Sequence, residues 1–193
     1  PYGHDGRWRW MVYDLDAGFG ISFGGGPTSN IFELLTGTDW RKGDIFIKLL
    51  TNETFKNDFI VRFSDLLNSI FSEEKMLNEI ENFKKLYETE MPEHIARYKY
   101  PSSINSWYNY VNTIKDFAQN RPSYIRKQLA DFMNVSSDSS GITIKTDTSR
   151  GNVKINTLLM DDNLAGVTDP NNWSGIYYKE IPITLTAIPK EGR

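Results

Sequence analysis

The sequence lacks cysteine and contains only two histidines, which removes several common kinds of site from consideration. A chain without cysteine forms no disulfide bonds and no thiolate zinc sites. A metal site built from histidine side chains is equally unexpected with only two of them. No apolar stretch approaches the roughly 20 residues that a membrane-spanning helix needs, so no membrane span is predicted.

The chain also lacks a basic excess. Its 22 Lys and Arg residues are outnumbered by 25 Asp and Glu residues, giving a net charge of −3. With no basic stripe visible, nucleic acid is not the expected partner. Hydrophobic residues make up 39% of the 193 residues and charged residues 24%, as in an ordinary globular protein with one domain and a small second one.

Periodic patterns predict a short strand followed by a long helical region. Residues 7–16 alternate with a period of two, which is typical of a strand. Apolar residues then recur at helical spacing over 31–134, most clearly over 53–71, and the aromatic stripes of these helices are expected to be core. The dipeptide Arg121-Pro122 is expected to open the last helix, with Arg121 in a structural ion pair.

The pattern changes after the serine-rich segment 136–141, which is typical of a linker. Beyond it, isoleucine and valine alternate with polar residues, which predicts strands. The fold class is therefore α+β: a mostly helical domain entered by a short strand, then a small all-β segment. The predicted division is 1–135 for the first domain and 136–193 for the linker and a partial β module.

Two aspartates lie at the end of the predicted first strand. Asp14 and Asp16 share the face of Trp8, Trp10 and Val12, because side chains of equal parity point to the same side of a strand. A carboxylate pair on an otherwise apolar face is costly unless a cation meets it, and Mg²⁺ prefers such ligands. Alternatively the strand ends there, and both acids are solvated or cap the next turn.

A glycine-rich segment follows the aspartates over residues 18–27, and its run 18–24 reads G-x-G-x-x-x-G. Its spacing is one residue too long for the dinucleotide-binding fingerprint, and no Gly-Lys-Ser/Thr follows it as a phosphate-binding loop would require. The glycines are expected to let the chain turn sharply beside the carboxylates.

Several of these features together resemble the CotH (spore coat protein H) kinase family, from the first residues to about Asn134. The family hallmark, a strand ending in Asp-x-Asp/Asn and Phe-Gly, is similar to the run here. Further similar segments follow in the family's order, including a Leu-Leu pair, a phenylalanine-rich stretch and a late helix. The matching runs are Tyr13-Asp14-Leu15-Asp16-Ala17-Gly18-Phe19-Gly20, then 49–56, 59–63 and 117–122.

The resemblance implies an atypical protein kinase whose helical part corresponds to the C-terminal lobe. It implies that Asp14 is the principal Mg²⁺ ligand and Asp16 an auxiliary one, with ATP as phosphate donor and protein Ser/Thr as acceptor. The catalytic base aspartate and the nucleotide-binding lobe are expected upstream of Pro1, so the fragment alone is expected to be inactive. The sequence departs from the family at 12–13, where Val-Tyr replaces Pro-Trp.

The C-terminal segments 173–178 and 181–187 look like immunoglobulin-like or repeat modules of secreted bacterial proteins. They favour an extracellular or cell-surface location, of which the spore coat is one example. The alternative function is a non-catalytic cell-surface or spore-coat assembly protein that keeps the scaffold without turnover. A more distant alternative, suggested by the aromatic content, is a carbohydrate-binding module.

Overall fold

The structure is a computed structural model that describes residues 18–21, 25–37 and 43–190. Over these residues six helices precede five strands, so the expected α+β class is confirmed. The helices are α1 (Ile31–Thr36), α2 (Asp44–Leu49), α3 (Glu53–Leu67), α4 (Glu73–Tyr87), α5 (Met91–Tyr98) and α6 (Ile104–Met133). The strands are β1 (Ser139–Lys145), β2 (Gly151–Ile155), β3 (Leu158–Met160), β4 (Asn172–Tyr178) and β5 (Leu185–Pro189).

Short polar side chains fix the starts of the three longest helices. Such a cap accepts a hydrogen bond from a backbone N–H that has no partner inside the helix. Asn52, Ser72 and Ser103 cap α3, α4 and α6, at 3.0, 3.3 and 3.1 Å from the N–H three residues further on. These boundaries are therefore set by the local sequence.

Helix α6 runs straight through Pro122, so the expectation that Arg121-Pro122 opens a separate helix is wrong. A proline inside a helix removes one backbone hydrogen bond and typically costs ~3 kcal/mol. The buried residues Val111, Ala118 and Ile125 recur every seven positions on both sides of the proline. A continuous helix keeps all three on one face, and their burial offsets the loss.

The main core lies between α3, the C-terminal half of α6 and the end of β4. A chain of phenylalanine rings links α1, α2 and α3 to α6, with Phe46 4.8 Å from Phe59 and Phe32 4.8 Å from Phe132 between ring centroids. Strand β4 and the loop after it supply two members of this core, so the β segment closes one side of it. The buried residues are Phe32, Ile60, Ile125, Leu129, Ala130, Met133, Tyr178 and Ile181.

Helix α4 differs, because it contains no buried residue. Its stripe faces α6, but Phe83 is 56% exposed and Leu86 62%. Tyr87 is also exposed. The expectation that all helical aromatic stripes are core is therefore wrong for this helix.

The β segment forms two small antiparallel sheets. Strands β1 and β4 pair over their full lengths, and β2 lies between β3 and β5. Trp173 is buried between the sheets, and a Cβ at Gly175 would lie 2.5 Å from its ring. A second core formed by both sheets consists of Ile144, Ile155, Leu158, Met160, Trp173 and Tyr177.

A buried carboxylate joins α3 to the β segment. Asp65 is fully buried, and the donors to its carboxylate among the described residues are all neutral. The Tyr177 hydroxyl donates at 2.7 Å, and the Asn156 amide at 3.1 Å. The N–H and hydroxyl of Thr157 donate at 3.0 and 2.6 Å. The helices and the sheets thus share a polar network and a core, while the division into domains at about residue 135 stays a prediction.

Candidate functional site

The predicted metal ligands Asp14 and Asp16 lie outside the described residues, as does the predicted strand 7–16. Their role stays a prediction. The structure does describe the turn that follows them, Gly18–Ile21, and the segment 25–30 that leads into α1. These two pieces and the face of α6 beneath them form the candidate site.

The turn at 18–21 uses backbone conformations that favour glycine. Gly20 has a φ of 76°, in the left-handed region, and Phe19 adopts a similar φ of 56°. A Cβ at Gly20 would lie 3.5 Å from the Phe117 ring, an ordinary contact distance, so space alone does not require glycine there. The requirement is conformational, because side chains with a Cβ rarely adopt this φ.

Phe19 fixes the turn on α6. Its ring centroid lies 5.4 Å from that of Phe117, with the planes tilted by 55°. Phe19 also borders an apolar cavity of about 440 Å³ between α4 and α6. Other residues lining this cavity are Met76, Ile80, Phe83, Trp107, Val111 and Ile114. The aromatic residue three positions after Asp16 therefore packs on α6, although its side chain stays 40% exposed.

Arg121 holds the other end of the glycine-rich segment through its backbone. Its Nη1 donates to the carbonyl oxygens of Pro27 at 2.9 Å and Ser29 at 2.6 Å. Gln128 accepts a third bond from the same nitrogen at 3.1 Å, and its Nε2 donates to the carbonyl oxygen of Thr28 at 2.7 Å. Partial burial lowers the pKa of the Arg121 guanidinium, which stays charged at neutral pH.

This carbonyl clamp replaces the ion pair expected at Arg121, which pairs with no carboxylate of the described residues. The sequence analysis did not single out Gln128. A signal was present, because Phe117, Arg121 and Gln128 are spaced by four and seven residues and so share one helix face. The sequence does not indicate that this helix face contacts the loop at Pro27, because the two are about 90 residues apart in the chain.

Within the described residues, no group of three or more His, Asp or Glu side chains is placed to hold a metal ion. Nor is any helix in that part of the chain long and apolar enough to cross a membrane. The ligands predicted from the sequence, Asp14 and Asp16, precede the anchored turn in the chain.

The family model described as CotH kinase protein matches residues 1–125, well over half of the chain. The chain therefore belongs to the CotH kinase protein family. Searches among curated proteins and among solved structures each returned no match. The family match ends inside α6, so the β segment lies beyond it.

Proposed function

We propose that the intact protein transfers phosphate from ATP to Ser or Thr residues of a protein substrate, with Mg²⁺ held by Asp14 and Asp16. One observation carries the proposal. In a member of the CotH kinase family, an Asp-x-Asp pair directly precedes a turn that is anchored on α6. Asp14 is the principal ligand and Asp16 the auxiliary one.

The residue types at 14 and 16 suit this metal. Mg²⁺ takes oxygen ligands and is usually bound by one or two carboxylates, with water and substrate phosphates completing its shell. When bound, it neutralises the charge that develops on the transferred phosphoryl group. Two carboxylates one residue apart on the chain also repel each other, which favours a bound cation between them.

The residues that the structure describes would contribute by holding the segment after Asp14 and Asp16 in position. Phosphoryl transfer depends mostly on placing the reacting groups and neutralising charge. Phe19, three residues after Asp16, packs on Phe117, and Arg121 fixes the backbone at Pro27 and Ser29. Both ends of the glycine-rich segment therefore contact the same helix. These contacts should restrict the positions that the carboxylates of Asp14 and Asp16 can adopt.

The proposed setting is extracellular or at the cell surface, where a spore-coat protein substrate is one example. The support for it is the family membership together with the β segment that follows the matched region. The competing function, a non-catalytic assembly protein, predicts the same fold but no phosphate transfer.

The test is a radiolabelled phosphate transfer assay with γ-labelled ATP, Mg²⁺ and the intact protein. Asp14→Asn should lower the rate by on the order of 100-fold or more, the scale seen when a group that stabilises transition-state charge is removed. Asp162→Asn is the matched control, because Asp162 is an exposed aspartate in the β segment. Calorimetric titration with Mg²⁺ and an ATP analogue gives a second readout.

Equal rates and equal Mg²⁺ affinities for the parent and Asp14→Asn would show that the metal role is wrong. No transfer by the parent, in an assay where a known kinase transfers phosphate, would favour the assembly protein.

A further inference from the structure

A second cavity has a volume of about 280 Å³ and shares no lining residue with the cavity beside Phe19. It opens between the C-terminal half of α6 and the β1–β4 sheet. Helix α6 contributes Ser123, Arg126 and Lys127, and the serine-rich link contributes Ser137 and Ser139. The backbone and side chains of 176–178 form the remaining wall. The cavity thus combines two cationic side chains with several hydroxyl groups.

Arg126 enters this cavity with neutral partners. Its Nη1 donates to the carbonyl oxygen of Ile176 at 3.2 Å, and its Nη2 donates to the Asn68 side-chain oxygen at 2.7 Å. A guanidinium has five N–H donors, so these two bonds leave others free. Burial lowers the pKa of Arg126, because a desolvated cation without a counter-charge is disfavoured.

Lys127 adds a second positive charge. It is exposed and, like Arg126, forms no ion pair with a carboxylate of the described residues. Two uncompensated cations therefore meet at one cavity on a chain whose net charge is −3.

The hydroxyls supply neutral donors beside these cations. Those of Ser137 and Ser139 form no hydrogen bond with any other described residue. Guanidinium, ammonium and hydroxyl donors converging on a cavity are the set that recognises phosphate oxygens. The volume lies just below the roughly 300 Å³ at which pockets for drug-sized ligands begin, so it suits a phosphate group with few attached atoms.

We propose that this cavity, lined by Arg126, Lys127, Ser137 and Ser139, is a binding site for a phosphate group, either the free ion or a phosphorylated side chain. Arg126 supplies a guanidinium in a fixed orientation, because its hydrogen bonds to Asn68 and Ile176 hold it in place. Lys127 supplies the adaptable charge, and the two serines donate to the remaining oxygens. The site is independent of phosphate transfer at Asp14.

The experiment is a calorimetric titration of the full chain with inorganic phosphate, with a short peptide carrying one phosphoserine and with its unphosphorylated form, at constant ionic strength. Phosphate or the phosphopeptide should bind saturably, and the unphosphorylated peptide should not. Lys127→Gln should weaken binding about tenfold, the effect of losing one charge-assisted contact. Lys154→Gln, which removes an exposed lysine on β2, should leave the affinity unchanged.

Arg126→Lys serves as the second variant, because it keeps the charge and loses the guanidinium. Its circular dichroism should match the parent, and its affinity for phosphate should also fall about tenfold. A preference for the phosphopeptide over inorganic phosphate would identify a phosphorylated side chain as the ligand, and the reverse would identify the free ion. Absence of saturable binding by both, or equal affinities for the parent, Lys127→Gln and Arg126→Lys, would overturn the proposal.

Discussion

Helices α3 and α4 have the same length and are both amphipathic, yet they bury their apolar faces to very different extents. Each contains 15 residues. Helix α3 buries Ile60 completely, whereas α4 buries no residue and leaves Phe83 56% exposed. Both helices pack on α6, one against each half of it.

The difference comes from what else is present around each half of α6. The C-terminal half, which contains Leu129, is surrounded by α1, α3 and the end of β4. Among the described residues, the N-terminal half meets the turn at 18–21 and the helices α4 and α5, and neither helix has a buried residue. An apolar stripe therefore determines the side of a helix that faces its neighbours. The number of neighbours determines how much of that stripe leaves water.

The largest expected loss of stability comes from truncating a buried side chain in the C-terminal half of α6. Leu129→Ala should lower the free energy of unfolding by about 4 kcal/mol, because it removes a fully buried side chain and leaves a cavity. Leu86→Ala on α4 makes the same chemical change at a side chain that is 62% exposed, and should cost less than about 0.5 kcal/mol. Urea unfolding followed by circular dichroism measures both. Similar losses for the two variants would refute the comparison.

The next effect concerns the polar contacts that tie each helix to its surroundings. Asp65→Ala should cost about 3 kcal/mol, because it leaves the buried hydroxyl of Tyr177 and the N–H of Thr157 without their acceptor. The control is Glu88→Ala on the α4 side, where the carboxylate accepts from the Tyr108 hydroxyl at 2.7 Å in a more exposed position.

Glu88→Ala should lower the free energy of unfolding clearly less than Asp65→Ala does, because exposed polar pairs contribute little to stability. The same denaturation measurement applies. Equal losses of unfolding free energy for Asp65→Ala and Glu88→Ala would show that the Asp65 network does not stabilise the contact between α3 and the β segment.

The smallest expected effect on stability is at Arg121. Arg121→Ala should lower the free energy of unfolding by about 1 kcal/mol, since it releases two backbone carbonyls that can turn to water. The larger consequence should be local. Amide hydrogen exchange at Ser29 and Asn30 should accelerate well beyond the change in global stability.

Arg97→Ala on α5 is the matched control, because Arg97 is exposed and its guanidinium lies over the ring of the neighbouring Tyr98. Exchange at Ser29 should be unaffected by it. If exchange at Ser29 also stayed unchanged in Arg121→Ala, the clamp would not be what holds the glycine-rich segment.

Much of this architecture could be predicted from the sequence, because the signals are local. Helical and alternating periodicity depend only on neighbouring residues, and caps such as Asn52 and Ser72 act within one turn. The Asp-x-Asp run and the segments after it were enough to indicate the CotH kinase family, which the family match over 1–125 confirms. The metal role of Asp14 and Asp16 stays a prediction.

Tertiary structure decided the features that depend on distant residues. The sequence around Pro122 predicts the start of a helix. Helix α6 nevertheless continues through Pro122, because the continuous helix buries Val111 and Ile125 on one face. Arg121 grips a loop about 90 residues earlier in the chain, and Asp65 is satisfied by donors about 90 to 112 residues later. Such contacts form only when folding brings separate segments together. Sequence patterning therefore fixed which faces were apolar, whereas the packing of those segments decided which faces were buried.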